Sequence, residues 1–197
     1  MGIDSAKKGC WIYHLTKLKH LDSIIEYGLA SRRLLIQNGV IFEDVADPGI
    51  MSKRTLLGLD KYIPFHFHPY SSFDVAVKST YYKDDFMYIC VNRELARQNK
   101  FKILPKHPLT IEECNVYEYD EGFDLIDWDT LTQKGLDDDY SKHVKMAECI
   151  TELMVPIDCF QSIAVKNDDI KQKVEAKLIE KNANFPASHV NVRPYWF

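Results

Sequence analysis

Three short stretches bring together residue types able to do polar chemistry. Tyr13-His14-Leu15-Thr16 sets an imidazole and a hydroxyl two residues apart. On an extended strand that spacing puts both groups on one face, an arrangement suited to holding a ribose and its flanking amide. The spacing fits a purely structural use even better, with a half-buried His14 bonded to backbone and Thr16 capping the next helix. Arg54, in Met51-Ser52-Lys53-Arg54, carries a planar, permanently charged fork that can clamp a pyrophosphate or orient a base; it also reads as an ordinary solvated loop charge. Glu148, in Met146-Ala147-Glu148-Cys149-Ile150, offers a carboxylate that could stabilise a developing oxocarbenium ion or take a proton. On a helical wheel, however, Lys145, Glu148 and Glu152 share one face opposite Met146, Ile150 and Met154, which is the pattern of a solvent-facing stripe.

Other chemistries are excluded by what is missing. The chain has no G-x-G-x-x-G, Walker A, H-E-x-x-H, G-x-S-x-G, RNP or zinc-finger pattern. His66, His68 and His107 have no carboxylate or Cys at ligand spacing, so no metal site is expected, and His66 and His68 read as core or surface residues.

These residues need elements to position them. Residues 11–15 form an aromatic and β-branched strand, followed by a helix opened by Thr16, carrying Leu18, Leu21 and Ile25, and closed by Gly28. Residues 32–59 read as a long loop or short helices that could cover a site, with Asp47-Pro48-Gly49 as a turn. Pro64 makes residues 62–67 (YIPFHF) an edge strand or a bulge, whereas residues 86–91 (FMYICV) form a buried strand. A helix over residues 141–154 capped by Ser141, a strand over 162–165 and a last helix capped by Asp168 complete the reading. Strands and helices mix without regular alternation, so the fold class is α+β, as one domain over residues 1–197.

Composition is consistent with such a domain. The 197 residues are 46% hydrophobic and include 11 Tyr, 10 Phe and 3 Trp, enough for a core without staples. Five well-separated Cys suggest a reduced, cytoplasmic setting, and no leader, lipid anchor or membrane span is read. Between Glu112 and Asp139 lie 11 acidic residues and one Lys, a local charge of -10; against the chain's total of -4 this leaves +6 on the rest. That stretch reads as a solvated acidic loop with Trp128 as its apolar anchor, beside a body basic enough to permit nucleic-acid binding.

Taken in order, Ile12-Tyr13-His14-Leu15-Thr16, the helix to Gly28-Leu29, the Arg54 loop, Tyr62-Ile63-Pro64-Phe65-His66-Phe67 with Pro69 and Ser71, Asp127-Trp128-Asp129, Ala147-Glu148 and the aromatic C-terminus resemble the DarT family of DNA ADP-ribosyltransferase toxins. The resemblance implies a compact ADP-ribosyltransferase-like domain with a split β-sheet and flanking helices. It also implies NAD as co-substrate, bound by His14, Leu15, Thr16, Ser23, Ser31 and Arg54, with Arg54 and Glu148 catalytic. His107 would face the acceptor base, and Tyr70, Ser71, Phe73, Arg32 and Arg33 would supply stacking and phosphate contacts to a splayed strand. The implied acceptor is thymidine in single-stranded DNA, since a ring or exocyclic nitrogen tied up in duplex pairing must be exposed first. A macrodomain-type antitoxin is the implied partner. An RNA or protein acceptor, or a catalytically silent nucleic-acid-binding module, stays open on the residues alone. Tyr70, where a basic residue is expected, and a short loop between Arg54 and Tyr62 depart from the family pattern.

Overall fold

The computed structural model describes residues 6–43, 48–107, 115–136 and 138–197. Its sheet is built from β1 (Trp11–Lys17), β2 (Ile63–His66), β3 (Phe86–Asn92), β4 (Lys102–Leu104), β5 (Tyr117–Glu118), β6 (Glu148–Thr151), β7 (Phe160–Val165) and β8 (Val190–Val192). Around it lie α1 (Leu21–Tyr27), α2 (Arg32–Gln37), α3 (Pro48–Leu56), α4 (Ser72–Thr80), α5 (Arg93–Gln98), α6 (Tyr119–Leu125), α7 (Trp128–Thr132), α8 (Asp139–Val144) and α9 (Asp168–Glu180). The strand order is β5-β4-β6-β2-β1-β3-β7-β8, antiparallel throughout except for the parallel β7–β8 pair. The fold is α+β.

Strand β1 pairs with β3 along its whole length, from Trp11↔Asn92 to Lys17↔Phe86. On its other side it meets β2 through a single register pair, Tyr13↔His66. The sheet is therefore continuous in order but parted between β1 and β2. That parting corrects the placing of β2 at an edge. Pro64 sits in the middle of the sheet, opposite Ile150 of β6, because a proline that cannot donate is tolerated where the neighbouring ladder has already opened.

Alternation along β1 divides the core. Tyr13 and Leu15 pack with Val77, Tyr88 and Trp196 on one face, while Ile12 joins Phe65, Met87 and Ile163 on the other. The larger core is gripped by Arg93, buried on α5. Its guanidinium donates to the carbonyls of Trp11 (3.0 Å), Lys7 (3.2 Å) and Phe67 (3.0 Å), and lies over the rings of Phe67 and Trp128. This is what holds Asp127-Trp128-Asp129 in place: Trp128 is buried, and Asp127 caps α7 by accepting from Thr130 N–H at 3.0 Å.

Several local expectations are corrected. Thr16 opens no helix; β1 continues through Lys17, a 3-10 turn follows, and α1 starts only at Leu21. Pro48 and Gly49 begin α3 instead of making a turn, proline being suited to a first helical position, and Asp47 lies outside the described residues. The described part of the acidic stretch is largely helical, with Asp120 and Glu121 in the first turn of α6 and Asp129 in that of α7, where carboxylates meet the positive helix end. Helix α8 stops at Val144, its cap being Asp138 and not Ser141, and residues 148–151 form a strand. Asn167, not Asp168, caps α9, whose Ile170, Val174 and Leu178 are buried as the periodicity predicts.

Gly28 closes α1 at φ +79°, and a Cβ there would collide with Met154 Sδ and meet Val155 O at 2.9 Å. Both the left-handed backbone and the close approach require glycine. Gly28→Ala is expected to cost about 2 kcal/mol, read as a thermal midpoint lowered by roughly 4–8 °C.

Candidate functional site

A cavity opens where the sheet parts. His14 and Thr16 reach it from β1, Pro64 and His66 from β2, and Glu148 from β6. Helix α3 brings Arg54, α4 brings Phe73, the loop after β4 brings His107, and residues from His20 to Leu35, together with Phe42, Glu43, Leu59 and Tyr62, form further parts of the wall. Glu43 ties that wall down: its carboxylate pairs with Lys17 and Lys19, and its backbone N–H donates to His20 Nε2 at 3.3 Å.

The β1 lip has a defined hydrogen-bonding sense. His14 Nδ1 lies 2.8 Å from the Pro64 carbonyl, which can only accept, so the ring proton sits on Nδ1. Burial pushes the His14 pKa down against the pull of that bond, and the ring stays neutral with Nε2 as an acceptor. His20 Nε2 accepts from Glu43, so its Nδ1–H is the proton aimed at Thr16 Oγ1, 3.2 Å away. The Thr16 hydroxyl proton is thereby left to donate elsewhere. An acceptor and a donor thus stand two residues apart on one strand face. Leu15, between them, sends its side chain to the opposite core, so any ligand contact it makes is through main chain.

The opposite wall is ionic. Arg54 donates through Nη1 to Glu148 Oε1 (2.8 Å) and through Nη2 to Oε2 (3.0 Å), a bidentate pair whose side chains are 12% and 4% exposed. Burial alone would raise the Glu148 pKa. The charge and hydrogen bonds of Arg54 more than offset it, His66 and His107 act in the same direction, and the carboxyl is held below its ordinary value. The solvent-facing stripe suggested by the helical wheel is corrected: Glu148 opens a fully buried strand, because β2 and β4 take up both edges of β6. His107, beside the pair, stacks on His143, and burial lowers its pKa first of several causes.

The remaining residues divide. Ser23 and Ser31 line the cavity, but both hydroxyls serve the backbone: Ser23 donates to the His20 carbonyl at 2.9 Å, and Ser31 caps α2, accepting from Leu34 N–H at 3.3 Å. Arg32 and Phe73 also line it. Arg33 does not; it forms a bidentate pair with Asp60 (3.0 and 2.7 Å). Ser71, expected as a substrate contact, is fully buried and makes a capping box on α4 with Asp74. Tyr70 is half exposed outside the cavity wall, held at φ +69° by its N–H bond to Tyr88 Oη (3.0 Å), with its ring over Lys78. His68 is buried between the Pro69 and Lys145 carbonyls, as a core histidine. His66 is not one; it borders the cavity, and only its register opposite Glu148, invisible before β6 was known, could have revealed it. Among the described residues no group of His, Cys, Asp and Glu is placed to hold a metal ion, and no helix is long and apolar enough to cross a membrane.

The parted sheet thus sets a His-x-Thr lip across one cavity from a buried Arg–Glu pair, and the chain is an ADP-ribosyltransferase by its family match. A protein-family model described as "ssDNA thymidine ADP-ribosyltransferase, DarT" matches residues 13–197, and the chain belongs to this DarT family. Among solved structures, Thermus sp. 2.9 DarT in complex with ADP-ribosylated ssDNA is similar with TM-score 0.81 and 19% identity, over 96% of this chain and 97% of that one. The same Thermus protein in complex with NAD+ gives 0.76 and 18%, over 95% and 97%. Thermosipho africanus DarTG in complex with ADP-ribose gives 0.75 and 18%, over 96% of this chain and 51% of that one. No curated protein matches the chain.

Proposed function

We propose that this chain, acting as one domain over residues 1–197, transfers ADP-ribose from NAD to thymidine in single-stranded DNA. The observation that carries the assignment of roles is the buried Arg54–Glu148 pair facing the His14–Thr16 lip across one cavity. His14 Nε2 accepts from a hydroxyl of the nicotinamide ribose and the Thr16 hydroxyl donates beside it, Ser23 and Ser31 shaping the wall behind them. The C1'–nicotinamide bond breaks with its electron pair leaving on nicotinamide, and the ribosyl cation is captured by the base ring nitrogen. Glu148 stabilises the developing positive charge and accepts the proton that this nitrogen sheds. Arg54 keeps the carboxylate ionised and oriented until the base arrives, and His107 adjoins the base.

Phe73 within the cavity and Tyr70 outside it give stacking surfaces to consecutive bases, with Arg32 near a phosphate. Arg33, already committed to Asp60, and Ser71, committed to a helix cap, are left out of that set. The proposed role includes that of a toxin in the cytoplasm, with a macrodomain-type antitoxin that removes the modification; the pairing implied by the DarTG name of the Thermosipho relative supports a partner of that kind and nothing finer. Incubation with labelled NAD and single-stranded oligonucleotides of each base is expected to label thymidine-containing DNA. Label on RNA or protein alone, or oligonucleotide binding without NAD consumption, overturns the assignment.

A further inference from the structure

His66 is more than nine-tenths buried, and its Nδ1 has no hydrogen-bond partner among the described residues. A buried polar atom left in that condition calls for an explanation. The ring borders the cavity and lies against Phe73, with ring centroids 6.1 Å apart. It also stands directly opposite Glu148 in the β2–β6 register. Residues so paired share a sheet face, with Cβ atoms about 5 Å apart.

Which nitrogen keeps the proton follows from what each can meet. An unbonded N–H in a closed position costs more than an unbonded lone pair, so the proton belongs on Nε2, the nitrogen left to reach the cavity. The face that presents the Glu148 carboxylate therefore also presents an N–H donor one strand away. An acceptor and a donor side by side match one kind of base edge, a ring N–H next to a carbonyl. Thymine and uracil have it, guanine has it at a different ring position, and cytosine and adenine, whose corresponding ring nitrogens carry no hydrogen, do not.

We infer that His66 donates a hydrogen bond to the base carbonyl adjoining the ring N–H that gives its proton to Glu148, so that the two cross-strand side chains read the N–H/C=O edge together. This deepens the proposed function and rests on it. The residue touches substrate and determines which base is accepted, while Arg54 and Glu148 carry the reaction.

The test pairs a variant with an altered base. Oligonucleotides carry thymidine, 2-thiothymidine or 4-thiothymidine at the acceptor position, sulfur being a poor acceptor. The wild-type enzyme is expected to work roughly tenfold slower on one of the two thio bases, and His66→Phe roughly tenfold slower on thymidine. His66→Phe is expected to show no further loss on that thio base, and His66→Gln, which keeps a side-chain N–H, to restore discrimination. A folding defect slows all three substrates alike and cannot produce this pattern. Equal slowing of His66→Phe on all three bases, or a wild type indifferent to both thio bases, overturns the inference with the proposed function intact. Absence of wild-type transfer to every oligonucleotide overturns the proposed function, and this inference with it.

Discussion

Glu148→Gln is expected to lower ADP-ribosyl transfer about 10³-fold while the protein still folds. Glutamine fills the same volume at the start of β6 and can still meet one Arg54 N–H, so strand pairing to β2 and β4 survives. What disappears is the negative charge facing a ribosyl cation and the carboxylate that holds Arg54 through two hydrogen bonds. The bidentate charge pair is reduced to a contact with a neutral amide in a nearly buried position, for which a loss of about 1–3 kcal/mol in stability is expected. Labelled-NAD transfer to a thymidine oligonucleotide, with thermal melting of the same preparation, checks both parts. A folded variant with unchanged rate removes Glu148 from the chemistry.

Arg54→Gln is expected to be damaging for the complementary reason, and its signature is a displaced pH profile. In the wild type the Glu148 carboxyl is held below its ordinary value chiefly by Arg54, which opposes burial with His66 and His107 acting in the same direction. Without that cation the lowering pull is weakened against burial, and the carboxyl moves up. The acid limb of the transfer rate, where Glu148 takes up a proton, accordingly moves to higher pH, and the maximal rate falls about 10²-fold with the loss of orientation. Stability follows the same sign. A carboxyl depressed in the folded state stabilises fully above its unfolded value and loses that contribution as pH falls through the folded one, so the wild type gives up this increment only in acid. Rate profiles of both proteins over the acid range decide it; coincident acid limbs would show that Arg54 does not set the charge of Glu148.

Much of the frame was legible in the sequence because local pattern and tertiary outcome agree there. The run from Phe86 to Val91 is buried because it pairs on both sides, and α9 buries the stripe that its periodicity lays out. His14 and Thr16 fall on one face because β1 is extended, which their spacing presupposes. Glu148 is the instructive failure. Lys145, Glu148 and Glu152 fit a helical face, yet Glu148-Cys149-Ile150-Thr151 is drawn into the sheet between β4 and β2, whose positions depend on contacts some 45 to 85 residues away in the chain. Pro64 misled in the same way, since a proline marks an edge only when the ladder beside it is intact. His66 carried no local signal at all.

The acceptor that fixes the His14 tautomer is the main-chain carbonyl of residue 64, not a side chain. Every amino acid supplies that oxygen, so no codon change at position 64 deletes it. Cells selected to survive this protein would therefore show inactivating changes at His14, Arg54 and Glu148, whose functional groups are genetically removable, while position 64 would tolerate replacement wherever the strand keeps its path. A spectrum of escape mutations thus separates what the side chains contribute from what the backbone guarantees.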